Sequence, residues 1–384
     1  MKKLKKICII TQRYPTDTDP AYTFVDKLVC EIADQGIDCT VISPYSISAK
    51  MVRNREEMPK YRERVTNKHN IVKIYHPRYV SFSNKNIIGL NTGILTLNSF
   101  QFAVEKTLDK LEDEFDAIYG HFIMPSGIVA NNVGKKRGIP SFLAYGECSI
   151  DQFDFIGLDR VRNGLKNIKG VISVSTANKE ILISNKIIDK NIIEVFPNAI
   201  DTEIFYKRNK DDIRSQLGIN KDEFIAIFVG SFIERKGPLR VMDALDNTGI
   251  KLIFIGNGSQ KPEGKNILIC GKVEHSKIPE LLSAADIFVL PTLAEGCCNA
   301  IIEAMSCGLP IVSSNLPFNK DILNERNSIM VNPLDINSIK HAVLRIKENK
   351  ELIEKMGKES LKIANDLNIE NRAKKIIDFI ESKI

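Results

Sequence analysis

Short apolar runs alternate with amphipathic stretches along the first half of the chain. Runs of about four to six residues rich in Ile and Val are typical of strands buried on both faces of a parallel sheet. The predicted strands are KICIIT (6–11), CTVISP (39–44), AIYGHF (117–122), PSFLAYG (140–146) and GVISVS (170–175). The stretches 23–36 and 126–138 have helical spacing and end at Gly36 and Gly138. The pattern therefore predicts βαβ units.

The alternation pauses at a Pro-Asn turn in IIEVFPNAIDTEIF (192–205) and then starts again. The strands predicted after this turn are FIAIFVG (224–230), GIKLIFIG (249–256), KNILICG (265–271), ADIFVLP (285–291) and LPIVSS (309–314). The restart predicts a second doubly wound domain, in keeping with a length of 384 residues. Since such domains bind ligands at the carboxyl ends of their strands, a facing pair would form one deep cleft.

We predict an N-terminal domain over 1–198 and a C-terminal domain over 199–368. Residues 369–384 carry a stripe of apolar side chains at helical spacing, namely Ile369, Ala373, Ile376, Ile377 and Ile380. Such a stripe needs an apolar partner, and we expect this helix to return to the first domain.

The net charge of +6 belongs to the first half of the chain. Residues 1–200 hold 28 Lys and Arg against 22 Asp and Glu, whereas residues 201–384 hold 26 of each. Seven basic and three acidic residues cluster in 50–69. This segment is either a solvated helix or loop or a patch that contacts anionic lipid headgroups. We expect no nucleic-acid partner, because no recognition motif or stacking platform accompanies the charge.

The N-terminal MKKLKKICIITQRYP superficially resembles a secretory signal. Its apolar run is too short for one, and no small-residue cleavage site follows. No run approaches the roughly 18 apolar residues of a membrane span. The eight cysteines include no C-x-x-C pair and are typical of reduced core thiols. We therefore expect a cytoplasmic protein. The basic segment raises the further possibility that the protein attaches peripherally to the inner face of the cell membrane.

Two carboxylates stand out in AEGCCNAIIEAMSCGLPIVSSN (294–315). Glu295 falls in a predicted strand-to-helix turn, and Glu303 about two turns into the helix. The first-turn N–H groups of Cys297, Cys298 and Asn299 would lie between them at the positive end of the helix dipole. This arrangement suits a ligand with an anionic part and hydroxyl groups. The alternative is a capped helix with two solvated glutamates.

A second strand, glycine turn and helix occur in FVGSFIERKGPLRVMDAL (228–245). Arg235 and Lys236 stand beside the predicted helix start, where two cations suit a diphosphate. The alternative is a solvated basic pair.

Together these elements resemble the retaining glycosyltransferases of family 4, which have the two-domain GT-B fold of facing Rossmann-like domains. The E-x7-E signature of that family matches Glu295 and Glu303. The resemblance extends to VFPNAIDTEIF (195–205), GSFIERKG (230–237) and KIPELLSAADIFVLPTLAEG (277–296). It is looser in HFIMPSGIVA (121–130) and IPSFLAYGE (139–147).

The resemblance implies transfer of a sugar from a nucleotide-sugar donor, with a UDP-sugar favoured, and retention of the anomeric configuration. Glu295 would bind hydroxyls of the donor sugar and Glu303 the ribose, while Arg235 and Lys236 would neutralise the diphosphate. Further donor-binding positions would be Gly230, Ser231, Gly296, Cys297, Cys298 and Asn299. Positions on the acceptor side would be Tyr14, His121, Tyr145 and Glu147. We expect a saccharide acceptor, which the basic first half suggests is lipid-linked, as in bacterial surface polysaccharide synthesis.

Three positions depart from the family pattern. The loop TQRYPTDTDPAYTF (11–24) has no glycine, Ser231 stands where Arg is frequent, and Tyr145-Gly146 stands where His-Gly is frequent. Asp17-Thr18-Asp19 has the D-x-D form of a metal motif, but such short triplets are common by chance. We expect no metal and no other cofactor, because protein cations and helix ends would neutralise the diphosphate.

Two other functions stay open. A nucleotide-sugar epimerase of the same architecture would act without an acceptor, and a non-catalytic two-lobed sugar-binding protein would need a secretory signal. A dehydrogenase is disfavoured because no G-x-G-x-x-G follows the first strand, and Gly256-Asn257-Gly258 lacks the third glycine.

Overall fold

The structure is a computed structural model that describes residues 2–16, 19, 21–48, 58–83, 85–87 and 90–384. Asp17, Thr18 and residues 50–57 of the basic segment lie outside these ranges. The chain divides into two compact units: Met1–Phe196 with Glu370–Ile384, and Pro197–Ile369. Each unit contains a sheet flanked by helices, so the prediction of two doubly wound α/β domains is confirmed.

The first unit is built on a largely parallel sheet. Its strands are β1 (Lys6–Thr11), β2 (Asp38–Ile42), β3 (Tyr45–Ser46), β4 (Tyr61–Val65), β5 (Ile71–Tyr75), β6 (Arg78–Tyr79), β7 (Asn86–Ile87), β8 (Leu90–Asn91), β9 (Ala117–His121), β10 (Ser141–Tyr145), β11 (Gly170–Ser173) and β12 (Ile193–Val195). Its helices before residue 197 are α1 (Thr23–Asp34), α2 (Thr92–Leu108), α3 (Ile128–Arg137), α4 (Leu158–Gly164) and α5 (Thr176–Ser184). The main sheet has the order β12-β11-β10-β9-β1-β2-β5-β4.

The central strands are apolar because helices cover both faces of the sheet. Ile7, Ile9 and Ile10 of β1 are fully buried, and Ile9 pairs with Val41 on one side and Tyr119 on the other. Sequence reasoning missed the antiparallel pairing of β4 with β5. The mostly exposed, charged YRERV of β4 has no apolar run that would identify it as a strand.

The second unit has a fully parallel sheet in the order β15-β14-β13-β16-β17-β18. Its strands are β13 (Ile225–Val229), β14 (Lys251–Ile255), β15 (Ile267–Gly271), β16 (Ile287–Leu290), β17 (Ile311–Ser314) and β18 (Ser328–Val331). Its helices are α6 (Lys210–Leu217), α7 (Pro238–Leu245), α8 (Ile278–Ala284), α9 (Asn299–Ser306), α10 (Ile336–Lys347) and α11 (Lys350–Asp366). The chain leaves β13 for β14 and β15 and then crosses back to β16. The loops after β13 and β16 therefore meet at a switch point, where such sheets bind ligands.

The last helix, α12 (Ile369–Glu381), packs in the first unit. Its Phe379 ring lies 6.2 Å from the rings of Phe142 and of Phe196. A Cβ on Gly170 would stand 2.6 Å from Phe379, so a glycine is needed there for the helix to dock. Among the described residues, no helix combines the length and apolarity that a membrane crossing requires.

A buried ion pair ties α6 to the sheet of the second unit. Asp286 accepts from Arg214 at 2.8 Å, from Lys210 at 2.7 Å and from the Ile225 N–H at 2.7 Å. The Arg214 side chain is 3% exposed. Removing the partner of a buried charge is costly because that charge stays out of water.

We predict that Asp286→Asn lowers the free energy of unfolding by about 3 kcal/mol, since Arg214 loses its counterion. Urea unfolding followed by circular dichroism measures the change. The control is Asp222→Asn at an exposed position nearby, which should stay within about 0.5 kcal/mol of the wild type. Equal stability of the two variants would contradict the structural role of Asp286.

Candidate active site

Two loops of the second unit meet at the carboxyl edge of its sheet. One follows β13 and the other follows β16, and these strands pair directly. The Leu293 N–H donates to the Arg235 carbonyl at 2.8 Å, and the Arg235 guanidinium donates to the Ala294 carbonyl. Each of the two loops therefore donates a hydrogen bond to a backbone carbonyl of the other.

Glu295 lies where the loops touch, and its Oε1 accepts from both of them. The donors are Lys236 Nζ at 2.5 Å, Arg235 Nη1 at 3.0 Å and Thr292 Oγ1 at 2.8 Å. The Glu295 side chain is 9% exposed. All three of these contacts run to Oε1, which leaves Oε2 as the oxygen for a ligand hydroxyl.

The charge balance at this point favours an anion. Burial lowers the pKa of Lys236, but the charge of the Glu295 carboxylate and the hydrogen bond to it act in the opposite direction, so the pKa is raised and the amine stays protonated. Arg235 adds a second permanent charge. Two cations against one carboxylate leave a local excess of one positive charge, and the start of α9 adds the positive end of its dipole.

The turn that leads into α9 is held by Asn198, which sequence reasoning did not select as a site residue. Its Nδ2 donates to the Cys297 carbonyl at 3.1 Å and to Asn299 Oδ1 at 2.8 Å. Cys298 is the N-cap of α9, and burial raises the pKa of its thiol to about 11. The thiol is therefore neutral at pH 7. Asn198 belongs to the Pro-Asn turn quoted above, but no local pattern shows that this turn contacts residues 297–299.

Glu303 lies on α9 with the imidazole of His275 beside it. Its Oε1 is 3.8 Å from His275 Nε2, and the His275 ring meets the Phe205 ring edge-on at 5.5 Å. Ser306 Oγ donates to the Phe205 carbonyl at 2.7 Å, which ties that segment to α9. His275 and Phe205 were not predicted as site residues.

The glycines after β14 are explained by packing. A Cβ on Gly256 would collide with the Gly230 carbonyl, and a Cβ on Gly258 with the Phe232 carbonyl. The Phe232 N–H also donates to the Asn257 carbonyl at 2.8 Å. Gly256 and Gly258 thus let two loops approach closely, and they are not part of a dinucleotide fingerprint. Of the remaining predicted donor positions, Ser231 is exposed on the loop after β13 and Gly296 is buried beside Glu295.

In the first unit, His121 ends β9 and Glu147 lies just after the neighbouring strand β10. The Glu147 carboxylate accepts from the Ile123 N–H at 2.7 Å and from the Gly146 N–H at 3.1 Å. Burial lowers the pKa of His121 to about 3, so its imidazole is neutral. The Tyr145 hydroxyl is buried, with no hydrogen-bond partner among the described residues. Tyr14 is buried with the Arg62 guanidinium 5.5 Å from its ring centroid.

Within the described ranges, no group of three or more His, Cys, Asp and Glu side chains is placed to hold a metal ion. Asp17 and Thr18 of the D-x-D triplet lie outside those ranges.

Known structures share this architecture along the whole chain. Sucrose-phosphate synthase from Thermosynechococcus elongatus superposes with a TM-score of 0.76 at 19% identity, covering 98% of each chain. HepE of Anabaena in complex with UDP superposes with a TM-score of 0.74 at 17% identity, covering 98% of this chain and 100% of the other. At these identities the likeness shows the fold alone, and that fold is GT-B.

Proteins related in sequence are named as glycosyltransferases. A putative teichuronic acid biosynthesis glycosyltransferase of Bacillus subtilis is 25% identical over 360 residues, or 88% of each chain. An Escherichia coli UDP-Gal:alpha-D-GlcNAc-diphosphoundecaprenol alpha-1,3-galactosyltransferase is 32% identical over 229 residues, or 54% of this chain and 59% of that enzyme.

The fold and these relatives define the protein as a glycosyltransferase with the GT-B fold. Residues 209–363, which contain the Glu295 loop, match the sequence model of glycosyl transferases group 1.

We predict that the protonation of Glu147 makes stability depend on pH. Burial raises its pKa from 4.5 to about 7, against the effect of three backbone N–H donors. The folded state therefore binds this proton more tightly than the unfolded state, and stability falls as pH rises from about 4.5 to 7. The loss approaches about 3 kcal/mol.

Glu147→Gln removes this titration. Relative to the wild type, its free energy of unfolding should therefore rise by about 2–3 kcal/mol between pH 5 and pH 8. Urea unfolding at both pH values measures the difference, and Glu112→Gln at an exposed position of the same unit is the control. A Glu147→Gln profile parallel to the wild type would show that this carboxyl does not titrate as described.

Proposed function

We propose that the protein transfers a hexose from a UDP-sugar to a saccharide acceptor with retention of the anomeric configuration, without a metal ion. The observation that carries this proposal is the group formed by Arg235, Lys236 and Glu295. It combines two cations with a nearly buried carboxylate that has one oxygen available. A nucleotide sugar offers the matching chemistry, since its diphosphate is anionic and its sugar carries hydroxyls.

In this proposal the bond between the sugar C1 and the β-phosphate oxygen breaks. The acceptor hydroxyl oxygen bonds to C1 on the face that the phosphate leaves, and its proton passes to the departing phosphate. Lys236 and Arg235 stabilise the charge that develops on the diphosphate, because they are held in place before the reaction begins. Glu295 Oε2 accepts hydrogen bonds from the donor sugar, and Glu303 binds the ribose beside His275.

The relatives support the choice of donor and acceptor. The Escherichia coli relative is named for UDP-Gal and for a diphosphoundecaprenol-linked sugar, and a capsular polysaccharide biosynthesis glycosyltransferase of Staphylococcus aureus is 26% identical over 247 residues. We propose a lipid-linked saccharide acceptor in surface polysaccharide synthesis. The protein would work at the inner face of the cell membrane, where the excess of basic residues in its first half contacts anionic headgroups.

We predict that Glu295→Gln lowers turnover by about 10²–10³-fold, the scale found when one electrostatic contact to the transition state is lost. The amide has the same shape, so the variant should fold, but with lower stability because Arg235 and Lys236 lose their counterion. Release of UDP from UDP-galactose, UDP-glucose and UDP-N-acetylglucosamine measures the rate. The control is Glu263→Gln at an exposed position of the same unit. Near-normal UDP release by a folded Glu295→Gln variant would overturn the assigned role.

Thermal melts with UDP, GDP, ADP and CMP, each with and without EDTA, test the donor and the absence of a metal. UDP at 100 times its Kd should stabilise the protein by about 2.7 kcal/mol, a shift of several degrees, and EDTA should not change it. A shift that EDTA abolishes would establish a metal requirement. Stabilisation by another nucleotide alone would correct the base, and no shift with any nucleotide would overturn the proposal.

A further inference from the structure

Three consecutive backbone carbonyls between the end of β16 and Glu295 each accept a hydrogen bond from a buried side chain. The pairs of donor and carbonyl are Ser313 with Leu290 at 2.8 Å, Arg240 with Pro291 at 3.0 Å, and Ser314 with Thr292 at 2.5 Å. Ser313 and Ser314 end β17, whereas Arg240 lies on α7. We call these three donors the carbonyl clamp. Because they come from two elements, the clamp holds the segment 290–292 from both sides.

Asn319 supports the two serines of the carbonyl clamp. Its side chain is fully buried, and its Nδ2 donates to the Ser314 carbonyl at 2.8 Å and to Ser313 Oγ at 3.1 Å. A hydroxyl has one proton to donate. Since Ser313 Oγ accepts from Asn319, its own proton is directed to the Leu290 carbonyl. Asn319 therefore fixes the direction in which the clamp donates.

The fold of a parallel sheet does not require polar side chains at these positions. The first two residues of β17, Ile311 and Val312, are apolar and fully buried, as is typical of such strands. The last two, Ser313 and Ser314, are equally buried, although apolar residues could fill the same space. A neutral hydrogen bond adds little net stability, but a fully bonded polar network selects one arrangement of the backbone. The serines therefore indicate that the path of the segment 290–292 matters.

Thr292 connects the carbonyl clamp to the candidate active site. Its side chain is fully buried, and its Oγ1 lies 2.8 Å from Glu295 Oε1 and 3.4 Å from the Ala294 carbonyl. The single proton of the hydroxyl is therefore directed to the carboxylate, which is both nearer and charged. Because Ser314 holds the Thr292 carbonyl, the position of this hydroxyl is fixed before a ligand binds.

Thr292 differs from the two cations that also donate to Glu295. In the proposed function, Arg235 and Lys236 bind the diphosphate of the donor, so their attraction to Glu295 is shared with the ligand. The Arg235 side chain is also 36% exposed, which gives it room to turn toward a phosphate. The Thr292 hydroxyl is neutral and fully buried, so it stays on Glu295 while the cations contact the diphosphate.

We propose that Thr292 is a positioning residue for Glu295. Held by the carbonyl clamp, it fixes Glu295 Oε1 in place, so that Oε2 faces the sugar of the donor. This inference rests on the proposed function and adds to it the group that orients the sugar-binding carboxylate. Since UDP has no such sugar, Thr292 acts on the transfer of the sugar and not on the binding of UDP.

The test combines release of UDP from UDP-galactose, UDP-glucose and UDP-N-acetylglucosamine with the melting shift that UDP produces. Thr292→Val keeps the shape of the side chain and removes the hydroxyl. It should lower kcat by about 10- to 100-fold, the value of one hydrogen bond to a charged group. The UDP melting shift should stay that of the wild type. Thr292→Ser restores the hydroxyl and should return kcat to within about threefold of the wild type.

A matched pair of serines tests the carbonyl clamp. Ser314→Ala removes the donor to the Thr292 carbonyl and should lower kcat by about three- to tenfold, the value of one neutral hydrogen bond. Ser360 is also fully buried and donates to a backbone carbonyl, that of Leu309, at 2.7 Å, but it lies on α11. Ser360→Ala should therefore lose similar stability in urea unfolding and keep the wild-type kcat.

Four outcomes would contradict these expectations. Wild-type kcat in a folded Thr292→Val variant would overturn the inference. Equal losses of kcat in Ser314→Ala and Ser360→Ala would also overturn it, because activity would then follow stability alone. Loss of the UDP melting shift in Thr292→Val would overturn it as well, since Thr292 would then act on the diphosphate site. A wild type that releases no UDP from any of the three UDP-sugars would instead overturn the proposed function.

Discussion

A single carboxylate oxygen, Oε1 of Glu295, organises the carboxyl edge of the sheet in the second unit. It accepts from Thr292 on its own loop and from Arg235 and Lys236 on the loop after β13. Without this anion, two cations would be held side by side in a partly buried place, where like charges repel strongly. The same contact that joins the loops therefore also concentrates positive charge where a diphosphate would lie. Structure and function at this edge depend on one group.

Much of the fold could be predicted because each buried strand has a local signature. ADIFVLP and FIAIFVG identify β16 and β13 by apolar runs, and their order along the chain places the loops that follow at one sheet edge. Glu295, Lys236 and Arg235 could be selected for the same reason, since each directly follows such a run. Their roles were predicted separately, as ligands of a sugar and of a diphosphate. That they pair with one another depends on side-chain reach, which spacing does not encode.

The parts that sequence reasoning missed depend on contacts between distant residues. Asn198 reaches Cys297 across 99 positions, and His275 meets Glu303 through the packing of a short helical turn beside α9. The positive φ of Tyr22 and Phe122 could not be predicted from the sequence. Aromatic residues are typical of strands and cores, whereas glycine is the residue that indicates a positive φ.

The placement of α12 has a consequence for biosynthesis. The first unit lacks the helix that covers Phe142 and Gly170 until the last segment of the chain is made. The second unit, Pro197–Ile369, is complete before that point. Domains usually fold in order from the N-terminus during synthesis. Here the first unit cannot complete its fold until the second unit has been synthesised. On the ribosome, the second unit would be finished before the first.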